Sequence, residues 1–301
     1  MKSGRGIPVQ NESTGGMASD RRTVLAGGVA VAAAAAGAGW LLPTARAQAP
    51  AADIAAGLGR LVAGSQRTAG NAARDGFRKP LEVLQFLGIK PDSRVIEISP
   101  GAAGYWTEIL APYVKDRGLY VAANPAPRSP AAKAGIEKYN AQFAAKMASD
   151  PASFSKVKVV AWAPELPDTL EPGSADFVLT FRNLHNWLDR GVVERALVSF
   201  HRALGKGGFL GIKDHRGDPA KPQDPVAQSG YVRQDYTVKL VESAGFKLAA
   251  SSEVVANPKD TKDHPAGVWS LPPTYRLKDK DRAKYAAIGE SDRFLLKFVK
   301  V

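Results

Sequence analysis

Cysteine is absent from the 301-residue chain. Its absence excludes disulfide bonds, thiolate nucleophiles and metal sites with cysteine ligands. It also suits export into an oxidising compartment, because no thiol is present that could pair wrongly there. Hydrophobic residues make up 45% of the chain and charged residues 23%, which predicts a globular protein with a sizeable core in one large domain.

Several short motifs are missing as well. The sequence has no G-x-G-x-x-G and no G-K-[S/T], which would indicate a dinucleotide or a cradled phosphate. It has no G-x-S-x-G nucleophile elbow and no H-E-x-x-H metal motif. Lys and Arg exceed Asp and Glu, 41 against 29, but they form no dense run interleaved with aromatic residues. We therefore expect a solvated basic surface and no nucleic-acid partner.

The N-terminal segment has the features of an export signal. Residues 19–25 read SDRRTVL and continue into an apolar stretch rich in Ala and Gly, and Ala45-Arg46-Ala47 provides a small-x-small cleavage pattern. The segment resembles a twin-arginine signal, which implies a signal peptide over 1–47 and the twin-arginine export machinery as a partner. The mature chain would start near Gln48, would be periplasmic or secreted, and would have no stable membrane insertion.

Two further points follow from this prediction. The twin-arginine route carries folded proteins, so a cofactor could be loaded before export. The alternative to a cleaved signal is a membrane anchor, because the 18 residues from Leu25 to Leu42 could just span a bilayer.

Strand and helix patterns alternate from residue 80 onward. Pro80 marks the start of a helix and Gly88 its end, and the next segment, 94–99, is an apolar, β-branched strand. Further strands are predicted at 119–124, 157–163, 175–181, 207–214, 246–254 and 292–301. The alternation indicates an α/β fold: a doubly wound, mostly parallel Rossmann-like sheet with an antiparallel last strand. Residues 48–79 are predicted to be an N-terminal linker or helical segment, with a linker over 48–60.

The carboxyl ends of the parallel strands should border a ligand crevice, at the point where the strand order reverses. The candidate stretches there are 99–104, Asn124, 180–187 and 214–216. The first of them belongs to a glycine turn, EISPGAAG (97–104), whose small residues would let backbone N–H groups approach a ligand. Many strand-to-helix turns without a ligand also need glycine, so the turn by itself is a weak signal.

The stretch RVIEISPGAAGYW (94–106) resembles the first motif of class I S-adenosylmethionine-dependent methyltransferases, and LGKGGFLGIKD (204–214) resembles a later segment of their core. The resemblance implies a seven-stranded sheet and S-adenosyl-L-methionine as the cofactor. It also implies that Asn124 stands where the family commonly has an acid for the ribose hydroxyls, and that Glu165 is a displaced candidate for the adenine amine. The predicted cofactor-binding residues are Glu97, Ser99, Gly101, Gly104, Asn124, Glu165 and Asn183.

A second resemblance involves RNLHNWLD (182–189), which is similar to the H-D-W-S-D region of small-molecule O-methyltransferases. His185, Trp187 and Asp189 occupy matching positions, whereas Asn186 replaces the acid beside the histidine. The resemblance implies that His185 removes the proton of the acceptor, and imidazole suits this work because its usual pKa is near neutrality. The predicted catalytic residues are Arg182, His185 and His215.

Two other interpretations of His185 stay open. It could be a structural histidine in a turn beside a core Trp187, or it could bind a metal together with Asp214 and His215. No metal-ligand motif supports the second interpretation, so no metal is predicted. Of the remaining histidines, His201 is expected to pack in a helix or face solvent, and His264 lies in a long loop.

That loop, residues 252–276, is unusually long, Pro-rich and irregular. Connections of this length in a compact domain are commonly functional or disordered. We expect it to close over the acceptor pocket together with residues 74–79. Taken together, the sequence predicts a methyltransferase acting on an oxygen or nitrogen atom of a small-molecule substrate. The alternative is an exported binding protein with the same fold and no catalytic activity.

Overall fold

The structure is a computed structural model in which residues 51–301 are described; the predicted signal peptide, 1–47, lies outside the described residues. A single sheet of seven strands organises this part of the chain. The strands are β1 (Arg94–Ile98), β2 (Leu119–Pro125), β3 (Lys158–Trp162), β4 (Ala175–Phe181), β5 (Leu204–His215), β6 (Phe246–Ser252) and β7 (Arg293–Lys300). Their spatial order is β3-β2-β1-β4-β5-β7-β6. Only β7 runs antiparallel to its two neighbours, which confirms the predicted fold class.

Helices cover both faces of the sheet. They are α1 (Ala51–Val62), α2 (Ala69–Ala72), α3 (Asp75–Arg78), α4 (Pro80–Leu87), α5 (Thr107–Val114), α6 (Pro130–Ala148), α7 (Pro151–Phe154), α8 (Leu184–Asp189), α9 (Val193–Ala203), α10 (Gln234–Ser243) and α11 (Arg282–Ile288). One core cluster contains residues of α1, α4, α5 and α6, and the other contains residues of α8, α9 and α10. Among the described residues, no helix is long and apolar enough to cross a membrane.

The local chemistry of the sequence explains several boundaries. Helix α4 begins at Pro80 and ends at Gly88, which has φ 78° and satisfies the last carbonyl groups from a left-handed conformation. Ser129 caps α6 by accepting a hydrogen bond from the backbone N–H of Ala132. The strand order reverses between β1 and β4, so the expected crevice lies above their carboxyl ends.

The segment before α4 differs from the predicted linker. Residues 51–62 form α1, which packs against α4 and α5, and Leu58 is fully buried there. The Ala- and Gly-rich composition suggested flexibility, but Ile54, Leu58 and Leu61 recur at helical spacing and form an apolar stripe. Tertiary burial of that stripe outweighs the weak propensity of the glycines.

The connection between β6 and β7 is as irregular as its sequence predicts, and it is longer. It runs from residue 253 to residue 292 and includes a 3₁₀ turn at Gly267–Ser270 and helix α11. Its aromatic residues Trp269 and Tyr275 are partly buried, and the connection is held to the domain by side-chain hydrogen bonds.

Candidate active site

Asn183 joins the two strand ends at the reversal point. Its Nδ2 donates to the carbonyl oxygen of Ile98 at 3.0 Å and to Oγ1 of Thr180 at 3.1 Å. This side chain therefore links the end of β1 to the end of β4. Asn183 was predicted to bind the cofactor. In the structure, its side chain holds the glycine turn and the segment that carries His185 at a fixed distance from each other at the bottom of the crevice.

Three residues in the second part of the glycine turn, 99–104, have positive φ. They are Ser99 (50°), Gly101 (86°) and Gly104 (58°). A Cβ placed on Gly101 would meet no atom within 4 Å, so open space lies beside the turn. The backbone N–H of Gly101 donates to the hydroxyl of Tyr139 in α6 at 2.7 Å. This one N–H group is thus already bonded within the protein.

Glu97 lies below the turn and is almost completely buried. Its Oε2 accepts a hydrogen bond from the Tyr120 hydroxyl at 2.5 Å, and that hydroxyl also lies 2.8 Å from Oγ1 of Thr107. Burial raises the pKa of the Glu97 carboxyl to about 8, although the Tyr120 hydrogen bond and the positive charge of Lys213 act in the opposite direction. Glu97 is therefore a protonated carboxyl at neutral pH.

Three acceptor oxygens near the ends of β2 and β3 have no partner among the described residues. They are Oδ1 of Asn124, Oδ1 of Asn140 and Oε2 of Glu165, all of them buried. Asn140 donates from Nδ2 to the carbonyl of Pro125 at 3.3 Å, and Oε1 of Glu165 is ion-paired with Arg190. A buried acceptor without a donor is costly, so these atoms are suited to a ligand that brings hydroxyl or amine donors.

His185 is buried and oriented by a carboxylate. Its Nδ1 lies 2.9 Å from Oδ1 of Asp214 at the end of β5. A carboxylate accepts only, so Nδ1 carries the hydrogen and Nε2 has the free lone pair. No described residue contacts Nε2 by a hydrogen bond, and the side chain lines a cavity. The acid that orients the imidazole comes from β5, whereas Asn186 beside it is exposed to solvent.

Asp214 also explains why α8 begins where it does. Its Oδ2 accepts from the backbone N–H groups of Leu184 at 2.8 Å and His185 at 3.3 Å, and Oδ1 accepts from the N–H of His215 at 2.7 Å. The first two N–H groups of α8 are therefore capped by a residue of a neighbouring strand. The same carboxylate fixes both the backbone and the ring of His185.

His215 follows Asp214 and is also buried. Its Nδ1 is hydrogen-bonded to Oγ of Ser291, and its ring centroid lies 5.2 Å from that of His185. Burial, followed by the nearby His185 and Arg293, lowers the pKa of His215 well below the usual value. His215 is thus a neutral imidazole that forms one wall of the site.

The metal interpretation has some geometric support. Ligand atoms of His185, Asp214 and His215 all lie within 4.8 Å of one another. However, both oxygens of Asp214 accept hydrogen bonds from N–H groups, and each histidine uses Nδ1 in a hydrogen bond. These contacts favour an imidazole–carboxylate pair over a cation centre.

A cavity of about 260 Å³ lies beside His185. The β6–β7 connection contributes Val268, Trp269 and the segment 272–274 to its wall, and Arg182 and Arg293 line it as well. The predicted contact of the long loop with the His185 pocket is therefore present. Residues 74–79 take part indirectly, because Arg74 is ion-paired at 2.6 Å with Glu290 in that connection.

The other residues that the sequence analysis considered pack in the core or face solvent. Trp187 is a core residue that packs on Trp162 and Phe200, and Asp189 is exposed. His201 packs edge-on against Phe246 at the other end of the sheet. The sequence did not single out Tyr139, Asn140, Glu290, Ser291 and Arg293. Tyr139 and Ser291, for example, contact Gly101 and His215 from 38 and 76 positions away along the chain.

No protein-family model matches the sequence, and neither does any curated protein. Solved structures do match. The [4+2]-cyclase SpnF aligns with a TM-score of 0.51 at 15% identity, over 82% of this chain and 93% of that one. A SAM-dependent methyltransferase from Aquifex aeolicus aligns with a TM-score of 0.47 at 16% identity, over 76% and 93% respectively. The likeness to SpnF concerns the fold alone, a seven-stranded, Rossmann-like α/β sheet, and a fold does not by itself fix the reaction.

Proposed function

We propose that this protein is an S-adenosylmethionine-dependent methyltransferase that acts on a hydroxyl or amine group of a small-molecule acceptor. The observation that carries the proposal is the buried His185–Asp214 pair, which leaves Nε2 of His185 as a free base at the wall of a cavity. Such a pair has the geometry of a general base with an orienting acid.

The residues at the strand ends fit the cofactor. Asn124, Asn140 and Glu165 provide buried acceptor oxygens without donors, as the ribose hydroxyls and the adenine amine of S-adenosylmethionine require. The open space beside Gly101 leaves room for the amino-acid part of the cofactor. When bound, the cofactor supplies an electrophilic methyl group on a sulfonium.

The acceptor side has its own chemistry. Nε2 of His185 takes the proton of the acceptor hydroxyl or amine, and the Asp214 carboxylate stabilises the imidazolium that results. Asn183 holds the end of β1 against β4, so the glycine turn and His185 keep a constant separation. Positioning of this kind supplies much of the catalysis in a group transfer between two bound reactants.

Calorimetry and methyl-transfer assays of the full chain test the proposal. S-adenosylmethionine and its demethylated product are expected to bind, and His185→Ala and Asp214→Asn should lower transfer by about 10²- to 10⁴-fold while leaving cofactor affinity nearly unchanged. His201→Ala, at the other end of the sheet, is the matched control. No binding heat at millimolar cofactor would contradict the proposal.

A binding protein without catalytic activity is the second candidate. The hydrogen bond from Gly101 to Tyr139 favours it, because that N–H is then less available to a ligand. The candidates differ in one measurement, which is methyl transfer by the wild type: a binding protein would bind S-adenosylmethionine and transfer no methyl group to any acceptor. We further propose that the chain is exported through its N-terminal segment, as the resemblance to a twin-arginine signal implies.

A further inference from the structure

Four guanidinium groups surround the buried end of β7, next to the His185 cavity. They belong to Arg74, Arg78, Arg182 and Arg293, and the last two line the cavity itself. Glu290 is the carboxylate that they share: it is paired with Arg74 at 2.6 Å, with Arg78 at 3.7 Å and with Arg293. One carboxylate therefore serves three of the four guanidinium groups.

Other acids near this cluster do not balance its charge. Asp214 adds a second negative charge, which acts to raise the pKa of Arg182, but its oxygens are occupied by the His185 ring and by three backbone N–H groups, so four guanidinium groups face two carboxylates. Glu97 is protonated at neutral pH, because burial raises its pKa to about 8. The amine of Lys213 is buried as well, 4.2 Å from the ring centroid of Trp106 and 5.1 Å from that of Phe181, and burial, followed by the charges of Arg293 and Arg78, lowers its pKa well below the usual value.

The two guanidinium groups that line the cavity have unused donors. Arg182 makes no side-chain hydrogen bond or ion pair with any described residue, although it lines the cavity. Nε of Arg293 is buried and has no hydrogen-bond partner among these residues, and only 1% of this residue is exposed. Arg182 is only partly buried and has no acid partner, whereas Arg293 is paired with Glu290 but its buried Nε lacks an acceptor, which a bound anion could provide.

The electrostatics agree with this geometry. Burial, followed by the charge of Arg182, lowers the pKa of Arg78 to about 8. Burial likewise lowers the pKa of Arg182 to about 10, with Arg293 and Arg74 as the next causes. The cations therefore destabilise one another, which a bound anion would reverse. The backbone of Arg182 also has φ 65°, an uncommon conformation for a residue with a side chain.

We infer that the cavity binds a small hydroxylated organic acid as the methyl acceptor, with its carboxylate on Arg182 and Arg293 and its hydroxyl directed to Nε2 of His185. Planar guanidinium groups bind carboxylates with paired hydrogen bonds. Trp269, whose ring centroid lies 6.0 Å from that of His185, provides an apolar wall for the carbon skeleton. This inference rests on the proposed function for the transfer step, but the anion site can be tested without it.

The test compares acids with their uncharged amides. The full chain is titrated calorimetrically with glycolate, salicylate and 4-hydroxybenzoate and with the three matching amides, both without cofactor and with its demethylated product. At least one acid is expected to bind tenfold or more tightly than its amide, and Arg182→Met should remove at least tenfold of that affinity. If no acid exceeds its amide, or if Arg182→Met binds the acid as the wild type does, the inference is wrong.

A second readout separates binding from folding. Because Arg182 has no acid partner among the described residues and the charges of Arg293 and Arg74 disfavour its charged form, Arg182→Met should raise the unfolding temperature of the ligand-free chain by about 2 °C or more, whereas loss of a structural contact would lower it. Arg94→Met removes the same charge from an ion pair with Asp176 at the opposite end of the sheet and is the control. An equal loss of acid affinity in Arg94→Met would overturn the inference.

The two proposals can fail separately. Acid binding without any methyl transfer would contradict the proposed function and leave the anion site standing. Transfer to uncharged acceptors alone would support the proposed function and contradict the organic-acid acceptor.

Discussion

At the scale of single residues, Glu97 illustrates how burial determines protonation. Its carboxyl is 1% exposed and accepts a hydrogen bond from Tyr120, which is itself a neutral phenol with a strongly raised pKa. Burial disfavours the charged form of both groups, so this pair shares a hydrogen bond without a formal charge. The first motif of the sequence thus contains an acid that is uncharged at neutral pH.

Glu97→Gln should therefore change how stability depends on pH. The folded-state pKa of Glu97, about 8, exceeds the usual value of 4.5, so between these values the folded chain binds more protons than the unfolded chain. The contribution of Glu97 to stability is fully present below about pH 4.5 and is lost as pH rises toward 8, with a slope of at most about 1.4 kcal/mol per pH unit. Glutamine mimics the protonated carboxyl but does not titrate, so Glu97→Gln should remove this dependence on pH.

Urea unfolding of the wild type and the variant between pH 5 and pH 8 measures the effect. The stability of Glu97→Gln relative to the wild type should increase steadily over this range. Glu82→Gln, in the exposed first turn of α4, is the control and should follow the wild type. A constant difference between wild type and Glu97→Gln would mean that Glu97 is already ionised in the folded chain.

The position of His185 could be predicted from the sequence, but its partner could not. The strand pattern before RNLHNWLD places His185 at the carboxyl end of β4, and parallel pairing then brings β5 beside it. The contact between Asp214 and His185 joins residues 29 positions apart, and only the register of β4 and β5 determines it. The contribution of Ser291 and Arg293 to the site could not be predicted either, because their positions depend on how the irregular β6–β7 connection folds back.

At the scale of elements, that connection is held by one buried carboxylate. Oδ1 of Asp260 lies 2.8 Å from the Tyr231 hydroxyl and 2.9 Å from Nε2 of His264, and its Oδ2 accepts the backbone N–H of Asp292 at 2.8 Å. His264, which the sequence marks only as a loop histidine, is thus an internal contact of the loop. These bonds fix both ends of the segment that covers the His185 cavity.

Asp260→Asn should loosen the connection while leaving the sheet intact. An amide in place of the carboxylate puts an N–H₂ group against donors, so the free energy of unfolding should fall by about 2–4 kcal/mol. Hydrogen exchange should quicken at Val268, whose N–H donates to Ser229 at 2.9 Å, but not at the amides of β1 and β4. Ligand binding at the cavity should weaken in parallel.

Asp263→Asn provides the comparison for this variant. Asp263 lies three residues further along the same loop, and its side chain is 66% exposed. Its replacement should alter neither stability nor exchange by a comparable amount. If both variants behave alike, the loop is not held by Asp260, and its ordering has another cause.

At the scale of the whole molecule, the excess of positive charge has two components. The formal net charge of the chain is +12 at pH 7, and the basic residues are spread along the sequence without a dense run. That pattern predicts a solvated basic surface, and many Lys side chains are indeed exposed. Yet Arg78, Lys213 and Arg293 are buried next to one cavity. Sequence composition counts charges but cannot show which of them the fold brings together.

The fold itself was more accessible to prediction than the charge cluster. Seven β-branched or apolar segments alternate with helical patterns, and each local signal agrees with the others, so the sheet follows from short-range chemistry. Helix α1 was the exception, because small residues conceal its apolar stripe. Function at the cavity depends on contacts between distant segments, which no local pattern specifies.

Export also concerns the whole chain, and the predicted signal peptide, 1–47, lies outside the described part. If the twin-arginine prediction is right, expression of the full chain should yield a periplasmic or secreted product that begins at Gln48, as intact-mass measurement of each cell fraction would show. Changing both Arg21 and Arg22 to Lys keeps the charge but removes the guanidinium groups, so the precursor should accumulate uncleaved in the cytoplasm. Arg5→Lys, in the same segment, should be exported normally. An uncleaved wild-type chain in the membrane fraction would instead support the anchor, and export of the Lys–Lys variant would exclude the twin-arginine route.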